Sequence, residues 1–170
     1  MHNLNDLDRQ APLGAFSTLD AEVLVPEVEK LMDNEIYLEI GVDKGKSLYI
    51  ARSVAKPEVI VCGVDIKESP NVVNTTHYQG DSKQIALVWD KWKISVLFID
   101  GDHSYKGCKA DIDAWYPHMK KNGVMLFHDH DESSPGVMQA VAEFVNTHKV
   151  ENYQMFKRTD KNTSMAKIQL

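Results

Sequence analysis

LEIGVDKGKSLYIA, Leu38 to Ala51, is an apolar run that breaks into a glycine turn and resumes with helical spacing. A strand, a tight turn and a helix in that order form the opening unit of a parallel α/β sheet. The turn itself admits several ligands. A phosphate-cradling loop reads G-x-x-x-x-G-K-[ST] and works by wrapping backbone N–H groups round a phosphate. Here only Val42, Asp43 and Lys44 separate Gly41 from Gly45, so the loop is one residue short. A dinucleotide fingerprint, G-x-G-x-x-G, needs glycine at position 43, where the side chain of Asp43 would obstruct a pyrophosphate.

The rest of the chain continues the alternation. Apolar runs at IYLEIGV (36–42), EVIVCGVDI (58–66), ISVLFID (94–100) and GVMLFHD (123–129) read as strands, with a shorter one at THYQGD. Between them, KSLYIARSVA (46–55), SKQIALVWDKW (82–92), YKGCKADIDAWYPHMKK (105–121) and SPGVMQAVAEFVNTH read as helices. The third places Cys108, Ile112, Trp115 and Met119 on one face and is bent by Pro117. Trp89, Trp92 and Trp115 fall on these helices as core or interface residues. Ser134 and Pro135 form a favoured N-cap and first-turn pair. ENYQMFKRT and TSMAKIQL, joined by DKN, read as a closing antiparallel pair. Ahead of the first strand, residues before Ser17 read as a polar arm. STLDAEVLVPEVEKLMD follows, with Ser17 or Thr18 as cap and Val25, Val28, Leu31 and Met32 at helical spacing. Pro26 is expected to split it into two short helices. The organisation is thus an N-terminal arm with short helices (1–34) packed on one domain (35–170).

Composition narrows the function. A 170-residue chain holds one domain. A formal charge of −6 argues against a mainly electrostatic nucleic-acid binder. Cys62 and Cys108 form no CxxC pair and read as reduced packing residues. The start, MHNLNDLDRQ, lacks the pattern of a signal peptide, and no apolar run approaches the ~20 residues of a membrane helix. A cytoplasmic enzyme acting on a small molecule, with neither nucleic acid nor membrane as partner, is the expectation.

In open parallel sheets, ligands bind beyond the carboxyl ends of the strands. Glu39, Gly41 and Gly45, spaced E-x-G-x-x-x-G, resemble the first motif of class I S-adenosylmethionine (SAM)-dependent methyltransferases. The resemblance implies a Rossmann-like fold: a mostly parallel seven-stranded sheet, helices on both faces and a C-terminal antiparallel hairpin. It also implies SAM as cofactor. Asp65 ends the second strand, where the family holds the ribose hydroxyls. Gly80, Asp81 and Ser82 follow the third, near the expected adenine. Ser47, Asp100, Asp102 and His103 complete the implied cofactor set. Asp65 and Ser82 could equally cap helices.

The fourth and fifth strand ends, VLFIDGDHSY and VMLFHDHDE, carry three of the seven histidines. Imidazoles and carboxylates gathered at adjacent strand ends suit metal ligation or proton transfer. IDGDHSY with NGVMLFHD is similar to the branch containing sugar and catechol-type O-methyltransferases, over roughly Glu35 to Lys149. In the catechol-type members a divalent metal is held by an aspartate after the fourth strand and a pair after the fifth. By position these are Asp100, His128 and Asp129, with His130 as the alternative partner. An acidic residue usually stands where His128 does, and an imidazole suits Mn, Fe or Zn better than Mg. His103 takes the place of the family's basic residue, so His103 with Asp100 is the candidate catalytic pair. The HDHDESSPG link is long enough to gate a substrate. The short N-terminal segment makes a second subunit a candidate to complete the pocket. Two rivals stand beside O-methylation of a small molecule: a protein that binds SAM without transferring methyl or with other chemistry on it, and a nucleotide phosphotransferase using GVDKGKS.

Overall fold

The computed structural model describes residues 3–68, 71–157 and 164–170. Its strands are β1 (Ile36–Ile40), β2 (Ile60–Asp65), β3 (Thr76–Gln79), β4 (Ile94–Ile99), β5 (Met119–His128), β6 (Asn152–Lys157) and β7 (Ser164–Gln169). They form one sheet ordered β3-β2-β1-β4-β5-β7-β6. The first five run parallel, and β7 pairs antiparallel with both β5 and β6. This is the expected seven-stranded arrangement. The DKN link of the closing pair lies outside the described residues.

The central strands are lined on both faces, because side chains alternate. Ile36, Leu38 and Ile40 of β1 point to one core, with Cys62, Leu97, Met125 and Phe127. That face is covered by α4 (Ser82–Leu87), α5 (Tyr105–Trp115) and α6 (Pro135–Thr147). Tyr37, Val61, Phe98 and Leu126 face a second core beneath α2 (Thr18–Glu29) and α3 (Lys46–Val54). The same alternation puts Glu39 on the Tyr37 face, inside the protein and under α3. Cys62 and Cys108 are free and buried, as their packing role requires.

Five local expectations change. The polar arm contains a helix, α1 (Leu4–Gln10), whose Leu4 and Leu7 pack on the second core and whose Asp8 pairs with Lys46 at 2.7 Å. Pro26 does not split its segment. α2 runs through it, because Pro26 sits on the exposed face, where water can serve the carbonyl that loses its donor. Met32, expected on the buried stripe, is exposed beyond the helix end. The helix expected over 105–121 stops at Trp115. Pro117 enters a 3-10 turn (Tyr116–His118), and Met119 opens β5 four residues earlier than its apolar run suggests. The helix expected over 82–92 stops at Leu87. Trp89 then turns inward against Tyr78 and Trp115, with ring centroids 5.6 and 5.3 Å apart, and Trp92 is exposed off any helix.

Candidate active site

At the C-terminal ends of β1 to β4 the chain leaves a cavity of about 380 Å³. The glycine turn forms one wall. Gly41 has φ +86°, and a Cβ there would lie 2.1 Å from the Asp100 carbonyl oxygen. Only glycine lets the ends of β1 and β4 approach so closely. The amides of Val42 and Asp43 both donate to Asp65 Oδ2, at 2.8 and 2.9 Å, and Lys67 N donates to Oδ1 at 2.8 Å. Asp65 therefore clamps the turn while lining the cavity. The turn's amides face a carboxylate, which leaves no cradle for a phosphate.

Glu39 stands behind this wall, not on it. It is fully buried, accepting from Ser47 Oγ at 2.6 Å and from Tyr37 OH at 2.7 Å. Burial raises its carboxyl to about 8, against the two hydrogen bonds, which lower it. Glu39 and Ser47, expected among the cofactor residues, brace α3 against β1. Gly45, also expected there, has φ +80° and begins α3 behind the turn. Of the other expected cofactor residues, Gly41, Asp65, Gly80, Asp81, Ser82, Asp100 and Asp102 line the cavity. Asp81 caps α4 through Lys83 N at 2.9 Å and pairs with Lys83 Nζ at 2.8 Å. Asp102 Oδ1 accepts from Ser104 N at 2.9 Å, ordering the start of α5. Asp111 of α5, absent from the sequence reading, also lines the cavity. Its only signal was a charge one position before Ile112 on a helix otherwise buried on that side.

Beyond Asp100 lies a cluster drawn from the β4–α5 loop, the end of β5 and α2. Gly136 permits it, because a Cβ there would lie 2.6 Å from the His103 carbonyl oxygen; without one, α6 closes against the β4–α5 loop. His103 Nε2 lies 3.5 Å from Asp100 Oδ1 and 3.3 Å from Asp129 Oδ2. His128 Nδ1 reaches the same two oxygens at 3.4 and 3.1 Å, and its Nε2 lies 3.3 Å from Asp20 Oδ2. These are ion-pair distances off the hydrogen-bond line. Burial lowers the His128 imidazolium's pKa, but three surrounding carboxylates outweigh it and hold it at about 12. His103 is raised chiefly by the Asp100 carboxylate beside it, against partial burial. Asp100 is pushed up by burial but held below its ordinary range by both histidines.

His128, expected as a metal ligand, has both nitrogens facing carboxylates, Nδ1 toward Asp100 and Asp129 and Nε2 toward Asp20. Asp100, His103 and Asp129 are the group whose donor atoms converge, all within 4.8 Å of one another. Two carboxylate oxygens and one imidazole nitrogen suit a divalent ion of the Mn, Fe or Zn type. His130 does not join them. It is buried beside β6, with Nε2 3.2 Å from Tyr153 OH. Asp20 was missed because it reads as half of a capping box with Ser17, a role it also fills. The HDHDESSPG link is pinned, with Asp131 accepting from Ser133 and Ser164 and its carboxyl held at about 2 by those bonds. That does not suit the expected gate.

No helix among the described residues is long and apolar enough to cross a membrane. An uncharacterized protein, R132, of Acanthamoeba polyphaga mimivirus is 28% identical over 146 residues, 74% of this chain and 66% of that protein. The chain thus spans just under two thirds of this relative's length. The O-methyltransferase from Bacillus cereus in complex with S-adenosylhomocysteine superposes with TM-score 0.71 at 13% identity, over 98% of this chain and 90% of that one. The MycE methyltransferase of the mycinamycin biosynthetic pathway, in complex with Mg, S-adenosylhomocysteine and mycinamycin VI, gives TM-score 0.71 at 15% identity, over 98% and 54%. At these identities the likeness is one of fold, and that fold is the Rossmann-like methyltransferase fold. Residues 38–130, more than half of the chain, match the family described as a methyltransferase domain, and the chain belongs to that family.

Proposed function

We propose that this protein transfers a methyl group from SAM to a hydroxyl of a small molecule, of the sugar or catechol kind. The observation that carries the proposal is the trio of Asp100, His103 and Asp129, of which Asp100 lines the cavity. Methyl transfer from a sulfonium is an in-line displacement, and the protein has two tasks: to align the nucleophile with the methyl group and to remove a proton.

His103 is placed for the second task. Its ring is 44% exposed, so an acceptor can reach it, and Nε2 is oriented by two carboxylates. Those carboxylates would also stabilise the imidazolium that forms when the hydroxyl gives up its proton. Phe16 packs against the His128 ring at 6.0 Å and closes the cluster from the N-terminal side. Asp65, Asp81 and Ser82 would hold the nucleoside end. The one spare acceptor site of Asp65, on Oδ1, would remain for a ribose hydroxyl after three amides are held.

The same three side chains support a metal-assisted variant, because their donor atoms converge. A divalent ion held by Asp100, His103 and Asp129 would lower the pKa of an acceptor hydroxyl. His103 would then serve as ligand and give up the base role. Turnover surviving in EDTA would exclude this variant; loss in EDTA with recovery on one added ion would establish it.

The direct test supplies methyl-labelled SAM with a panel of small hydroxylated acceptors and analyses the products. A methyl ether with stoichiometric S-adenosylhomocysteine is expected. SAM that binds yet stays intact with every acceptor would favour a binding protein. Thermal stabilisation by ATP–Mg²⁺ and not by SAM would favour phosphotransfer, against which the occupied turn amides already argue.

A further inference from the structure

Asp111 is 5% exposed, lies on α5 and reaches the cavity wall between Ser82 and Gly101. One of its oxygens, Oδ1, accepts from Ser82 Oγ. The other, Oδ2, has no hydrogen-bond donor among the described residues and sits beside Gly101, where even a Cβ would crowd it at 3.3 Å. A carboxylate oxygen that lines a cavity with no protein donor is open to accept from a ligand. Burial raises the Asp111 carboxyl, against the bond from Ser82. Asp81, the obvious alternative, is half-exposed and already holds the Lys83 amide and ammonium.

We propose that Asp111, oriented by Ser82, recognises the exocyclic amino group of the nucleoside base. The inference rests on the cofactor reading above and adds a base-specificity residue to it. An amino group donates to Oδ2. A carbonyl oxygen in the same place, as in hypoxanthine, would meet a carboxylate with no proton to share, so the site should reject it.

The test is calorimetric titration in mildly alkaline buffer with S-adenosylhomocysteine and its deaminated analogue, S-inosylhomocysteine. The unaltered protein should favour the adenine compound by about tenfold or more. Asp111→Asn keeps the shape and the Ser82 bond but can turn an N–H to the cavity, so the preference should collapse or reverse. Asp81→Asn should leave it intact. Equal affinity of the unaltered protein for both compounds, a preference that survives Asp111→Asn, or one that follows Asp81 instead would each overturn the proposal. The first of these needs no variant, and Asp111→Ser takes the same measurement should the Asn protein not fold. Binding of neither compound would instead refute the cofactor reading itself.

Discussion

The two ends of the site use carboxylates in opposite ways. At the cofactor end, Asp65 and Asp81 are held by backbone amides within their own turns, or by the turn of a neighbouring strand. At the acceptor end, Asp100 and Asp129 are bracketed by two imidazoles, and one of those is backed by Asp20 from α2. Amide-held carboxylates act as fixed acceptors and set geometry. Imidazole-held carboxylates share mobile protons and set charge. Under the proposed function the first arrangement would bind and the second would do chemistry, so substitutions at the two ends should fail in different currencies.

The sharpest break is expected in turnover. His103→Ala should lower kcat by ~10²–10⁴-fold while SAM affinity changes little. Asp100→Asn should also cost turnover more than affinity, and should move the acidic limb of the pH–rate profile down, because Asp100 is the main cause of the raised His103. An equal loss of kcat and affinity would reassign Asp100 to the cofactor end.

The next largest effect is on stability. His128→Leu leaves Asp20, Asp100 and Asp129 around a site with no buried cation, which should cost about 3–5 kcal/mol in denaturant unfolding. Pairing it with Asp20→Asn should recover part of that loss if the three-carboxylate arrangement is the cause.

At the cofactor end the effects are smaller and mixed. Asp65→Ala removes the acceptor of three backbone amides, so ~1–3 kcal/mol of stability should go together with SAM affinity. Unchanged affinity by calorimetry would remove the ribose role and leave the clamp.

Smallest, and visible only as a slope, is the behaviour of Glu39. Its carboxyl is raised from 4.5 to about 8, so the folded state holds its proton more tightly than the unfolded chain. That contribution to stability is complete below 4.5 and is lost as pH rises toward 8. Glu39→Gln should flatten the decline of melting temperature across this window; an unchanged slope would show that Glu39 stays ionised.

Much of the fold was legible in the chain. LEIGVDKGKS, VCGVDI and VLFIDGD are apolar runs ending in glycine or aspartate, and each became a strand ending at the cavity. Period-2 and period-3.6 patterns are local, so they survive in a single sequence. Helix ends were less legible. Pro26 was misjudged because the cost of a helical proline depends on which face it occupies, and α5 and α4 ended early where Pro117 and Trp89 answered to packing.

The residues of the site divide the same way. The sequence by itself determined that carboxylates and imidazoles would gather at the ends of β4 and β5, since strand ends can be read from hydrophobic patterning. Only the tertiary structure decided their roles. It turned Glu39 inward beneath α3, closed His128 between Asp20 and the Asp100–Asp129 pair, and set Asp111 against Ser82 across 29 positions of chain. A side chain's charge and hydrogen bonding depend on neighbours that are distant in sequence and a few ångströms away in space, and no one-dimensional pattern records that distance.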